Sequence, residues 1–79
     1  MIEVFVLIIV KPGNEDIVYE KLSKLPQVKE VYKVYGEYDV IIRVEVENIK
    51  GLDEFHDDVL RRIKEIEMTE TLIASSYGS

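Results

Sequence analysis

Few side chains in this protein have the type and spacing for chemistry. There is no cysteine and one histidine, His56, flanked by Phe55 and by Asp57 and Asp58. A general base needs an oriented partner, and consecutive helix residues point apart, so neither aspartate is expected to orient the ring or to join it in a metal triad. His56 therefore reads as the boundary residue of a helix. Ser23, Ser75, Ser76 and Ser79 lack a glycine-flanked elbow, and the isolated glycines open no phosphate-binding loop. No catalytic residue, metal or cofactor is expected. Two polar clusters remain. In Gly36-Glu37-Tyr38-Asp39, N–H groups exposed around a glycine could hold a carboxylate while Asp39 accepts from an ammonium group, and a free amino acid needs both. In Thr69-Glu70-Thr71, alternation puts both hydroxyls on one strand face. A plain hairpin turn and a plain edge-strand start would account for the same residues, so the residues alone leave the ligand reading open.

The surrounding elements must position those clusters. Ile2 to Val10 is apolar on both faces from Val4 onward, which predicts a strand covered on both sides. Pro12-Gly13-Asn14 breaks it, and Glu15 and Asp16 open a helix of about three turns with Ile17, Val18, Leu22 and Leu25 at helical spacing, ended by Pro26. Val28 to Tyr35 and Val40 to Val46 form a hairpin across Gly36 to Asp39. After Asn48, a candidate cap, Leu52, Phe55, Val59, Ile63 and Ile66 predict a second amphipathic helix, with Asp57 to Arg61 and Asp58 to Arg62 spaced as ion pairs. Met68 to Ser75 is a last strand, and 76–79 a short tail.

The order strand, helix, strand, strand, helix, strand, with connections of the usual handedness, predicts an α+β ferredoxin-like sandwich: a four-stranded antiparallel sheet with two helices on one face. Its other face would carry either Phe5, Leu7 and Ile9 or Val4, Val6 and Ile8, together with Tyr32 or Tyr35 and Ile41. Leaving such a patch in water forfeits roughly 25 cal/mol per Å² of apolar surface, so a face-to-face homodimer is expected.

Composition agrees. A 79-residue chain, taken as one domain, has a marginal core of its own, and without cysteines association is the expected stabiliser. Sixteen acidic against ten basic residues, net charge −6, argue against direct nucleic-acid or anionic-membrane binding. The first apolar run is too short to span a bilayer and lacks the flanks of a signal peptide, so a cytoplasmic protein is expected. Scarce Asn and Gln beside abundant Glu and Lys resemble a heat-adapted composition.

Pro12-Gly13, the segment from Pro26 to Asp39, the Leu52 and Phe55 pair, and Thr69-Glu70-Thr71-Leu72-Ile73 together closely resemble the effector-binding domain of the Lrp/AsnC, or feast/famine, regulators, also called the RAM domain. That resemblance implies the same fold, dimerisation through the sheets, assembly into octamers or related rings, and an amino acid or related small metabolite bound between dimers. Carried onto this chain, the family's Gly-x-x-Asp turn is Gly36, Glu37, Tyr38 and Asp39, and its Thr-x-Thr start of the last strand is Thr69 and Thr71; Tyr32 is added as a pocket wall on its place in the hairpin. Full-length members carry a helix-turn-helix domain ahead of this one, whereas here the first residues already form the first strand. The expectation is a stand-alone module, not an enzyme, that senses an amino acid through assembly and co-assembles with full-length relatives. The alternatives are a small dimeric α+β barrel enzyme using His56 and a purely structural oligomerisation module.

Overall fold

The computed structural model describes residues 1–75. In chain order the elements are β1 (Ile2–Val10), α1 (Glu15–Ser23), β2 (Val28–Lys33), β3 (Val40–Val46), α2 (Ile49–Glu54) and β4 (Ile66–Ile73). Between α2 and β4 the chain makes a π-helical turn, Phe55–Val59, and a 3₁₀ turn, Leu60–Arg62. All strand pairs are antiparallel and the sheet order is β2-β3-β1-β4, which makes β2 and β4 the edges. This is the expected ferredoxin-like α+β sandwich.

Strand alternation builds the core. Val4, Val6, Ile8 and Val10 of β1 and Val40, Ile42, Val44 and Val46 of β3 face one way and are buried under Val18 and Leu22 of α1, Leu52 of α2 and Phe55 of the turn that follows it. The other face carries Phe5, Leu7 and Ile9, half-buried, with Ile41 and the directly opposed Tyr32. This decides between the two sets of β1 residues expected there. Leu72, opposite Phe5, and Met68, opposite Ile9, extend the patch and are 46% and 58% exposed. Tyr35, the other aromatic candidate, lies beyond β2 and is fully exposed.

The second helix departs from its expected form. Asn48 caps it, its side-chain oxygen accepting from Gly51 N–H at 2.8 Å, but regular α-helix ends at Glu54. The π turn inserts a residue into the helical repeat, so Leu60 and Ile63 are buried after Phe55 and Val59 is only partly so. Ile66 belongs to β4 instead of the helix. Of the two expected ion pairs, Arg61 Nε lies 3.9 Å from Asp57, and Asp58 and Arg62 form none among the described residues. The first helix is a little shorter than expected, and Ile17 on it is 45% exposed. The tail read over 76–79 lies outside the described residues.

Candidate functional site

Gly36 to Asp39 closes the hairpin and also fastens it to the centre of the sheet. Val34 N–H donates to Asp39 C=O, and Asp39 N–H donates to Ile8 C=O, both at 2.9 Å. One carboxylate oxygen of Asp39, Oδ2, accepts from Val10 N–H at 2.8 Å. The side chain expected to await an ammonium group is thus half committed to the backbone of β1, and Oδ1 accepts no bond among the described residues. Gly36 has φ of +139°, a region side chains disfavour, and an added Cβ would meet nothing within 4 Å. The turn's remaining N–H groups, on Gly36, Glu37 and Tyr38, have no backbone acceptor among the described residues.

Tyr38 leads away from the turn. Its hydroxyl donates to Glu70 Oε1 at 2.6 Å, and that bond raises the phenol's pKa. Because β1 separates β3 from β4, the bond spans β1 and ties the hairpin turn to the far edge strand. Glu70 pairs with Leu7, which puts it on the face without helices. Thr69 and Thr71 pair with the buried Ile8 and Val6, so their hydroxyls share the opposite face, as alternation required. Within one protomer, Tyr38 and the turn therefore meet Glu70 and not the two threonines. Glu70 was overlooked in the sequence, although its place between two threonines already assigned it the other face.

Tyr32 sits farther along, on the open face beside Ile41, 49% exposed. Its phenol is pushed up by a hydrogen bond with Glu30. At that end of the face Arg43 gathers three carboxylates: Nε lies 2.7 Å from Glu30, and Nη1 lies 3.0 Å from Glu3 and 2.9 Å from Glu45. The Arg43 guanidinium holds Glu30 below the ordinary 4.5, and the Lys21 ammonium does the same to Glu65. A carboxyl whose pKa is lowered by folding stabilises the fold above its unfolded pKa, and that contribution disappears as pH falls through the folded value. The thermal midpoint should drop on acidification below about 4.5, and less so in Glu30→Gln, followed by circular dichroism. Equal acid sensitivity of both proteins would assign the effect elsewhere.

Two clefts accompany these groups. The larger, about 600 Å³, is lined by Gln27, Glu45, Glu47, Asn48, Glu54 and Asp58 among others and contains none of the expected site residues. It lies where β2 begins and β3 ends, the opposite end of the hairpin from Gly36 to Asp39. The smaller, about 230 Å³, runs between the irregular end of α2 and the start of β4 and includes Thr69 and His56. His56 Nδ1 lies 3.2 Å from Asp57 Oδ1, a contact between sequence neighbours. No cluster of three or more His, Asp or Glu fit to hold a metal occurs among the described residues, and no helix there is long and apolar enough to cross a membrane.

The family model described as the Lrp/AsnC ligand binding domain matches residues 3–77. The HTH-type transcriptional regulator FL11 of Pyrococcus furiosus is 38% identical over 69 residues, which are 87% of this chain and 45% of that protein. FL11 of Pyrococcus horikoshii is 35% identical over the same length and shares. The chain thus spans about half the length of the curated relatives it matches. Among solved structures, FFRP-DM1 is 47% identical with a TM-score of 0.90, covering 94% of this chain and 99% of that one. TTHA0845 of Thermus thermophilus is 34% identical with a TM-score of 0.93 over 100% of this chain and 99% of the other. E. coli AsnC is 32% identical with a TM-score of 0.90 over 95% of this chain and 51% of its own.

Proposed function

Because this chain belongs to the Lrp/AsnC family through its ligand-binding domain, we propose that it binds an amino acid or related small metabolite and assembles with copies of itself under that ligand's control. The open sheet face would pair with the same face of a second copy, making a homodimer with its apolar strip sealed. Dimers would associate further into an octamer or related ring. Transcription would be affected through co-assembly with full-length Lrp/AsnC regulators, since a net charge of −6 opposes contact with a phosphate backbone.

One observation carries this reading: the polar groups expected to hold a ligand are divided between the two faces of the sheet. Thr69 and Thr71 share the helix side of edge strand β4, whose second half neither helix covers, and Glu70 faces the other way toward Tyr38. A single protomer would then leave the ligand shell incomplete. The turn's free N–H groups would receive the α-carboxylate, Oδ1 of Asp39 the α-ammonium, and Thr69 or Thr71 of a neighbouring dimer would close the shell. Occupancy and the dimer–dimer contact would then stabilise each other.

Native mass spectrometry of the purified protein, with and without a pool of the twenty amino acids, tests the proposal. A ring of dimers that retains one amino acid, or changes subunit number with it, is expected. A particle indifferent to all twenty would return the module to a structural role or to another ligand class. Gly36→Ala probes the turn, because no clash accompanies the change and only the backbone must move out of φ +139°. Losing one charge-assisted N–H contact, about 1.5–3 kcal/mol, should weaken ligand retention by roughly 10–150-fold. Unaltered retention would remove the turn from the site.

A further inference from the structure

The bond between Tyr38 and Glu70 joins two places that no single element holds together. Tyr38 belongs to the hairpin turn and is half-buried, whereas Glu70 lies on edge strand β4 opposite Leu7, at the middle of the uncovered face. The register between β1 and β4 slips at the start of the strand, where Ile9 opposes Met68 but Val10 opposes Ile66 and Glu67 bulges without a partner. Glu70 lies beyond that bulge, in regular pairing, so its face is fixed.

On that face its carboxylate has apolar neighbours: Leu7 across the strand pair, and Met68 and Leu72 along its own strand. Among the residues that the strand registers put on this face, Arg43 is the single basic one, and Glu3, Glu30 and Glu45 already share it. The Tyr38 hydroxyl, at 2.6 Å, is the side-chain partner Glu70 has among the described residues.

The worth of that bond depends on water. In the free protomer the bond is exposed, and water competes for both groups. A second copy laid on the face would exclude that water, which strengthens a bond that is kept and strands a carboxylate that has no donor. The same event would act on the turn. Asp39 fastens the turn to β1 through its N–H to Ile8 and its carboxylate to Val10. Gly36, Glu37 and Tyr38 have no backbone acceptor among the described residues, so the Tyr38 hydroxyl supplies a second fastening, to β4.

We infer that Tyr38 and Glu70 are the positioning residues through which the dimer seam orders the Gly36 turn: a second copy of this chain covers their bond, and the covered bond holds the turn in place. The inference rests on the face-to-face homodimer of the proposed function and adds to it a link from the seam to the turn.

Sedimentation equilibrium over a wide concentration range, on wild type, Tyr38→Phe, Glu70→Gln and the double variant, tests it. Tyr38→Phe keeps the ring and removes the donor, so it should weaken dimerisation by about 100-fold, roughly tenfold for each of two symmetry-related copies. Glu70→Gln still accepts from Tyr38 and has no charge to desolvate, so it should dimerise at least as well as wild type. In the double variant a neutral amide replaces the stranded carboxylate, and dimerisation should return to within about tenfold of wild type. A ring that only packs would show no such rescue. Amide hydrogen exchange reads the turn. With both proteins fully dimeric, the Val34 and Asp39 N–H groups should exchange about tenfold faster in Tyr38→Phe than in wild type. Undiminished dimerisation of Tyr38→Phe, or a loss that Glu70→Gln does not rescue, would overturn the inference. Equal exchange at Val34 and Asp39 would do the same, by detaching the turn from the seam. A wild-type chain that stays monomeric at every concentration would remove the homodimer itself, and the inference with it.

Discussion

Leu7→Lys is expected to convert the assembled protein to monomers. Leu7 lies at the middle of the uncovered face, between Ile41 on β3 and Glu70 on β4, and belongs to no part of the core under the helices. In an interface related by a two-fold axis every substitution acts twice. Losing the burial of one leucine costs about 1.5–3 kcal/mol, so two copies give roughly 3–6 kcal/mol, a weakening of dimerisation by about 10²–10⁴ before any charge penalty is added. Lysine is preferred to an acidic replacement because Glu70, directly across the strand pair, can accept its ammonium and keep the monomer folded. Sedimentation equilibrium over a range of concentrations reads the result, with far-ultraviolet circular dichroism confirming that the sheet persists. A mass equal to that of the wild type would show that this face is not the seam.

The second large effect is expected at Asp39, in two stages. Asp39→Ala removes the acceptor for the partly buried Val10 N–H and should cost about 1–3 kcal/mol of stability, or several degrees in the thermal midpoint of a domain this small. It should also free the hairpin turn from β1, so ligand retention falls together with stability. Asp39→Asn separates the two roles, since an amide oxygen can still accept from Val10 N–H but carries no charge to meet an ammonium group. The asparagine variant should keep most of the wild-type midpoint and bind a cationic ligand group about tenfold more weakly, a difference near 1.4 kcal/mol. If Asp39→Asn binds as well as wild type, Asp39 is a fastener of the turn, and the ammonium belongs to another carboxylate. Glu70, already bonded to Tyr38 of the turn, is the candidate on β4. Melting curves with and without ligand distinguish these outcomes.

The two predictions address different surfaces, which leads to a combined expectation. Tyr38 and Glu70 join the turn to β4 across the open face, on the side a dimer partner would cover. Thr69 lies on the helix side of β4. A Leu7→Lys monomer should therefore stay folded while losing any ligand shell that a neighbour completes.

Much of this was settled by local rules in the sequence. The alternation in Val4 to Val10 and Val40 to Val46, the break at Pro12-Gly13 and the Gly36 turn between two β-rich runs determine the elements and their order, because strand and helix periods and turn geometry depend on near neighbours. The same alternation separates Glu70 from Thr69 and Thr71, and the ordered motifs identify the family. Tertiary structure decided what depends on partners far along the chain. Which set of β1 residues faces the helices follows from packing under α1 and α2, since a strand apolar on both sides has no preference of its own. The π turn that exchanges Val59 for Leu60 breaks the helical period that a sequence reading must assume. The bulge at Glu67 exists only in the register between β1 and β4, and the bond from Asp39 to Val10 N–H links residues 29 positions apart. Local propensity determined the parts; the shared sheet determined which side chains are left free to bind.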